Sequence, residues 1–467
     1  MAALAVLGAV LALALVRPAG GPALPATGPS PPASPEPELV AVLPAAGAGA
    51  PAPTAAGVQA AIDELVRGGA LGEAVSVAVV DALTGQRLYG HQPDRPTVPA
   101  STIKLVTAAT VLAALGPEHR LATVAVAGAE PGEVVLVGGG DPTLAAGPDG
   151  FYPGAARLDR LAGQVRAALG DRPVSRVTVD ATAFRGPRQG PWTEDIQTSG
   201  FVGPITALMT DGGRIDPDPE QDQRPSARYQ APDLAAGEVF AELLGAPAGA
   251  VTRGPAPARP PDLPARPGGR AQPPAPGTEL GRVSSPPLQR LVEIMLVSSD
   301  NVVAEALARQ VALAAGEPAS FAGAAAAMAA GLDRLGVPLR GGELADGSGL
   351  SRDNRLTASL LTELVASAAG RQQPHAGLLA ALPVAGWSGT LADRYRSPQP
   401  RTTAGAGLVR AKTGSLNRVD ALAGMVTTAE GRVLAFAVLA DDVPVDQSRA
   451  RTALDRIAST LAGCGCR

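Results

Sequence analysis

Apolar and polar positions along the 467 residues fall into three regimes. The first is an uncharged apolar run, AALAVLGAVLALALV, over residues 2–16. It is short of the roughly 20 residues that cross a bilayer and has the length of a signal-peptide core. No Lys or Arg precedes it and Arg17 follows it, the reverse of the usual charge placement around an N-terminal anchor. Export is expected, with residues 1–16 as a signal peptide or signal anchor. The second regime is breaker-rich. Residues 17–54 hold 11 Pro among small residues and read as a disordered linker, and residues 254–277 hold nine Pro in 24 and read as a surface loop.

The third regime is periodic and supplies the elements. A helix is expected near 57–68, then a hairpin of VSVAVVD, a Thr84-Gly85 turn and RLYG. From Ser101 to Leu115 almost every position is apolar, ended by Gly116-Pro117, which predicts a helix buried on all sides. The middle of the chain alternates short strands (TVAVAG, EVVLVG, RVTVD) with one amphipathic helix near 157–169. Helices are expected at 286–297 and 301–315. Three strands follow around LVRAKTGSL, ALAGMVTT and RVLAFAVLAD, then a final helix at 446–462. Strands at both ends with helices between them predict an α+β domain whose sheet is completed by the C-terminus. It comprises residues 55–120 and 282–467, with a mostly β accessory insertion at 121–281.

Composition narrows the chemistry. The formal net charge is −4, which argues against a nucleic-acid binder. The two cysteines, Cys464 and Cys466, lie at the C-terminal tip, so no Cys nucleophile or Cys-based zinc site is expected in the body. The three histidines, His91, His119 and His375, sit in turn-like contexts without a His-x-x-x-His pair, so no metal site is expected. One His would suffice for a Ser-His-Asp triad, yet no Gly-x-Ser-x-Gly elbow exists to carry its serine.

Within 39 basic residues, 37 are Arg and two are Lys, Lys104 and Lys412. Lys104 stands three residues after Ser101, so on a helix its amine can reach the hydroxyl. A buried amine loses basicity and can take a serine's proton, whereas Arg never deprotonates. Lys412 opens Lys412-Thr413-Gly414-Ser415 on a predicted strand, where an ammonium beside hydroxyls makes a seat for a carboxylate. By composition alone, Ser before one Lys and Thr-Gly after the other coincide in roughly three chains per ten thousand. Ser299-Asp300-Asn301 falls between them, in a break between two helices.

Ser-x-x-Lys, Ser-x-Asn and Lys-Thr-Gly, in that order, resemble the signature of the penicillin-recognising serine enzymes. Within that group the chain resembles the low-molecular-mass D-alanyl-D-alanine carboxypeptidase/endopeptidases of the S13 type, class C penicillin-binding proteins. The likeness extends over about residues 57–463. It includes Gly139-Gly140-Asp141-Pro142-Thr143-Leu144, Trp192-x-x-Asp195, Ser284-Ser285-Pro286-Pro287-Leu288, Ala304-Glu305 and Asp346-Gly347-Ser348-Gly349-Leu350-Ser351-Arg352.

The resemblance implies a transpeptidase/β-lactamase-like fold, no cofactor, peptidoglycan stem peptides as substrate and β-lactams as covalent inhibitors. It implies Ser101 as nucleophile and Lys104 as base. Ser299 would relay the proton to the departing D-alanine, Asn301 would orient the substrate amide, and Lys412 would support the network. Thr413, Gly414 and Ser415 would bind substrate, with the two hydroxyls on its terminal carboxylate. The backbone N–H groups of Ser101 and Ser415 would form the oxyanion hole. Ser348 is carried over as a further substrate-binding residue. Asp195 and Arg352, an opposite-sign pair, are candidates for the free amine and carboxylate of diaminopimelate, with loop hydrogen bonding as the equal alternative. The interval between Ser101 and Ser299 is short for this type, which points to reduced accessory domains and leaves substrate range open. A class A β-lactamase would carry a Glu-x-x-Leu-Asn loop, which is absent. A non-catalytic wall-binding protein would commonly have lost one of the four hydroxyl and amine groups.

Overall fold

The computed structural model describes residues 49–221, 224–259, 274–370, 373–396, 400–444 and 446–467. The apolar run at 2–16, most of the 17–54 linker and much of the Pro-rich stretch lie outside them.

Among the described residues ten strands form two five-stranded sheets. The first unites the chain ends: β1 (Ala74–Asp81), β2 (Arg87–His91), β8 (Val409–Leu416), β9 (Val419–Thr427) and β10 (Val433–Asp441) pair antiparallel in the order β2-β1-β10-β9-β8. The predicted completion of the sheet by the C-terminus is therefore seen in the β1–β10 pairing. His91, expected in a turn, ends β2 opposite Val77.

The continuous apolar run of β10 is explained by burial on both faces. Leu434, Phe436, Val438 and Ala440 face helices Ala55–Arg67 and Gln447–Ala462. Ala435, Ala437 and Leu439 face the helical layer on the other side, as do Ala421 and Ala423 of β9. Small residues on that face let helix Ala358–Ala368 pack closely against the sheet, which suits a chain with only 3% aromatic residues, and that helix in turn abuts the central helix Lys104–Leu115. Around this central helix pack Leu288–Val297, Asn301–Ala314, Phe321–Arg334 and Ala358–Ala368.

The inserted segment builds the second sheet, in the order β6-β5-β4-β3-β7: β3 (Ala122–Ala127), β4 (Glu133–Gly138), β5 (Arg176–Asp180), β6 (Val251–Arg253) and β7 (Glu279–Ser284). β3 runs antiparallel to β4 and β7, whereas the β4–β5 and β5–β6 pairs are parallel. Parallel neighbours require crossovers, supplied by helices Leu158–Leu169 and Pro232–Leu244. The second of these was not expected. Its sequence, PDLAAGEVFAELL, carries Pro at the first turn, where proline is tolerated. Its Gly237 lies against Val179 and Val251, where a Cβ would come within 2.5 Å of Val179.

Candidate active site

Ser101 lies on a tight 3-10 turn, Ala100–Ile103, that runs directly into helix Lys104–Leu115. The turn is held in an unusual shape, with Ala100 at φ 45°. Edge strand β8 passes beside it through Gly414, where a Cβ would stand 2.7 Å from the Pro99 carbonyl oxygen and 3.2 Å from Ser101 N. Glycine is therefore what allows the Lys-Thr-Gly strand to close on the serine. Ser299, between helices Leu288–Val297 and Asn301–Ala314, also adopts a left-handed conformation, at φ 58°. Such non-glycine conformations cost about 1–3 kcal/mol each and persist where surrounding contacts enforce them.

The spacing of three residues does bring Lys104 to Ser101, with Nζ to Oγ at 2.9 Å. The amine has two further partners, Asn301 Oδ1 at 2.7 Å and the Ser348 carbonyl at 2.6 Å. Both are acceptors without a proton, so each must receive an N–H from Lys104. A neutral amine satisfying both has its lone pair left for the Ser101 hydroxyl. Burial pushes the Lys104 ammonium down to about 8, against the opposing pull of Asp346, Glu305 and Asp300.

Lys412 is equally buried and donates to Ser299 Oγ at 2.9 Å and to the Thr413 carbonyl at 2.8 Å. Burial, and then the charge of Lys104, hold its ammonium well below the usual range.

Behind this pair lies a layer of buried anions. Glu305 Oε1 accepts the N–H groups of Gly347 at 3.1 Å and Ser348 at 2.9 Å, and Oε2 lies 3.3 Å from Arg309. Burial, then the like charge of Asp346, push the Glu305 carboxyl up to about 7 despite Arg309 and these N–H donors. Asp346 in turn accepts from Trp192 Nε1, Asn354 Nδ2 and the N–H groups of Gly349 and Ser351. Asp300 caps helix Asn301–Ala314 through the Val303 N–H and takes Tyr152 Oη at 2.7 Å and Arg214 Nη2 at 3.3 Å. Arg214 lies 3.6 Å over the Phe151 ring. Burial opposes ionisation of Asp300, but Arg214 and Arg228 hold its carboxyl below the usual range.

The expected residues thus divide into groups. Ser101, Ser299, Asn301, Thr413 and Ser415 line one cleft of about 620 Å³, over the two buried lysines. Gly414 is a buried strut. Asn301 gives its oxygen to Lys104 and its Nδ2 to the Phe201 carbonyl at 3.1 Å. Ser348 is a correction: its side chain is fully buried and its carbonyl anchors Lys104, so it positions the base and does not meet substrate. Asp195, on the short helix Glu194–Thr198, and Arg352 are exposed at the rim and attract each other electrostatically. The Asp195 carboxyl is lowered chiefly by a hydrogen bond from Thr193, and Arg352 donates to the Asn417 carbonyl.

No histidine lines the cleft; His375 is buried, with Nε2 2.9 Å from Ser367 Oγ. Cleft residues that the sequence did not single out are Thr390, Arg394 and Arg451. Nothing local marks them, since arginine is the chain's general cation.

Comparison with known proteins gives the chain's relatives. The model of the D-Ala-D-Ala carboxypeptidase 3 (S13) family matches residues 58–251 and 268–462. A carboxypeptidase of Mycobacterium tuberculosis is 41% identical over 446 residues, covering 94% of this chain and 90% of that protein. A D-alanyl-D-alanine carboxypeptidase of an Actinomadura species is 32% identical, covering 81% and 80%. Among solved structures, penicillin binding protein 4 of Haemophilus influenzae superposes with a TM-score of 0.67 at 22% identity, covering 86% of this chain and 98% of that one.

Proposed function

From the premise that the chain belongs to the D-Ala-D-Ala carboxypeptidase 3 (S13) family, and is a serine DD-peptidase of peptidoglycan, we propose how its residues carry out the reaction. Ser101 attacks the carbonyl between the two terminal D-alanines, and neutral Lys104 takes its proton. Asn301 and the Ser348 carbonyl hold the amine's two N–H groups, which keeps the lone pair on the serine. The observation that carries this reading is that three-way contact: 2.9 Å to a hydroxyl that can donate, and 2.7 and 2.6 Å to oxygens that cannot.

The backbone N–H groups of Ser101 and Ser415 receive the developing oxyanion. Ser299, backed by Lys412 at 2.9 Å, relays the proton that Lys104 took from Ser101 to the departing D-alanine amine, which leaves Lys104 neutral again. The bond between the carbonyl carbon and that amine breaks, leaving an ester on Ser101. Water then attacks the ester, Lys104 accepts the water's proton and passes it to the Ser101 oxygen as the ester bond breaks, and the shortened peptide leaves. A penicillin enters the same sequence through its lactam carbonyl, but its amine stays tethered, so the ester on Ser101 persists.

A D-Ala-diaminopimelate cross-link is a second proposed substrate, supported by Asp195 and Arg352 at the rim. If they bind the free end of diaminopimelate, Asp195→Ala lowers turnover only for substrates carrying that end. Export through residues 2–16 completes the proposal, since peptidoglycan lies outside the cytoplasm. Among the described residues no helix is long and apolar enough to cross a membrane, so any membrane tether rests on that segment. N-terminal sequencing of the protein from the cell envelope tests cleavage.

The central test is mass spectrometry after incubation with benzylpenicillin. A stable adduct on Ser101 is expected, absent in Ser101→Ala. An adduct elsewhere, or none, overturns the mechanism. D-Alanine release from diacetyl-Lys-D-Ala-D-Ala then separates an enzyme from a mere binder.

A further inference from the structure

The seat expected for the terminal carboxylate of the substrate is short of protons. Thr413 Oγ1 donates to Thr390 Oγ1 at 2.9 Å. Ser415 Oγ lies 2.7 Å from Asp420 Oδ1, and a carboxylate can only accept, so the hydroxyl proton is turned away from the cleft. Asp420 faces Ser415 across the β8–β9 pair, is almost wholly buried, and among the described residues its Oδ2 has no hydrogen-bond partner. An anion arriving at Ser415 therefore meets an oxygen lone pair with a carboxylate behind it. These hydroxyls alone make a poor carboxylate site.

Two cations line the same cleft, Arg394 and Arg451. Arg394 is committed elsewhere. Its side chain is 18% exposed and grips Asp455 with Nε at 3.1 Å and Nη2 at 2.6 Å. Arg451, from the C-terminal helix Gln447–Ala462, is 51% exposed and holds Asp420 Oδ1 only by a long 3.4 Å contact from Nε. Among the described residues no hydrogen bond engages its two terminal amino groups. That contact fixes one edge of the guanidinium against Asp420 and leaves the opposite edge, a planar pair of donors, for a second carboxylate.

We propose that Arg451 is the cation that recognises the free α-carboxylate at the C-terminus of the substrate. Selectivity for a carboxylate-ended D-amino acid is then shared between the C-terminal helix, which supplies the charge, and the β8 hydroxyls. The proposal rests on the DD-peptidase reading above and adds the charged partner that reading lacked. It also assigns Asp420 a place: the carboxylate that withdraws the Ser415 proton is the one that steadies the Arg451 fork.

The test compares kcat/KM for diacetyl-Lys-D-Ala-D-Ala and for its C-terminal amide, in the wild-type protein, Arg451→Gln and Arg451→Lys. The wild type is expected to prefer the free acid. Arg451→Gln is expected to lower kcat/KM for the acid by about tenfold or more, mainly through KM, and to leave the amide within about twofold. Arg451→Lys is expected to recover part of the loss, because charge survives while the planar fork does not. Equal losses on both substrates, or an unchanged acid-to-amide ratio in Arg451→Gln, would overturn the assignment. A thermal midpoint within about 2 °C of wild type is expected for this half-exposed position, which separates a specificity loss from unfolding. Failure of the underlying reading looks different: the wild type would then cleave neither substrate.

Discussion

Replacing Glu305 by Gln probes the base directly while keeping its shape. Glu305 touches Lys104 only through the backbone of Ser348, whose N–H it accepts at 2.9 Å and whose carbonyl takes the amine at 2.6 Å. That places the two charges roughly 7 Å apart. At an effective dielectric of about 20 their attraction is on the order of 2 kcal/mol, or between one and two pH units on the Lys104 titration. Gln retains an oxygen for the Gly347 and Ser348 N–H groups, so the change is mainly one of charge.

The sign follows from the base having to be neutral. Loss of a nearby anion destabilises the Lys104 ammonium, so its titration falls below about 8 and the acid limb of kcat/KM moves to lower pH. The magnitude is bounded by Glu305 itself. Its carboxyl titrates at about 7, so it is already protonated in acid. The variant should therefore match wild type below about pH 6 and exceed it several-fold between about pH 7 and 8, with the limb displaced by up to about one unit. The assay is D-alanine release from diacetyl-Lys-D-Ala-D-Ala across pH 5.5–9.5, checked against acylation rates with benzylpenicillin. A limb that stays put, or moves to higher pH, would refute both the neutral-amine base and the role of Glu305 in tuning it.

Other expected outcomes follow from the same contacts. Lys104→Arg should abolish Ser101 acylation, since guanidinium does not deprotonate; Lys412→Arg should retain more activity, and the reverse order in acylation rates would count against Lys104 as base. Arg214→Ala leaves Asp300 buried without its ion pair and should lower stability by about 3–5 kcal/mol in urea denaturation while slowing acylation; an unchanged midpoint would show that the pair does not hold the Ser299 turn. Gly414→Ala should slow acylation strongly through the 2.7 Å encounter with the Pro99 carbonyl, a loss read from penicillin-adduct kinetics with a native circular dichroism spectrum as control.

The sequence by itself determined the elements with strong patterning and the reacting groups. The hairpin, the all-apolar helix after Ser101 and the three C-terminal strands are legible because their periods are set locally, by burial on one face or two. Helix Phe321–Arg334 is not legible in this way, because half of FAGAAAAMAAGLDR is alanine, which blunts the periodic contrast. Lys104 and Lys412 stand out because every other base is Arg, and Ser101 is tied to Lys104 by a spacing of three.

Tertiary structure decided what those groups can do. The amine of Lys104 is confined by Asn301, 197 residues away, and by a carbonyl of Ser348, 244 residues away. Lys412 meets Ser299 across 113 residues, and its burial, which no local pattern encodes, is what chiefly lowers the basicity of its amine. Ser348 belonged to a recognisable motif, yet it is buried and it is its backbone carbonyl that meets Lys104. Arg451, one of 37 arginines, acquires meaning only when the last helix packs beside β9 and leaves its fork at the cleft. Chemical identity is written residue by residue. Protonation state and access depend on neighbours in space, and folding alone selects those.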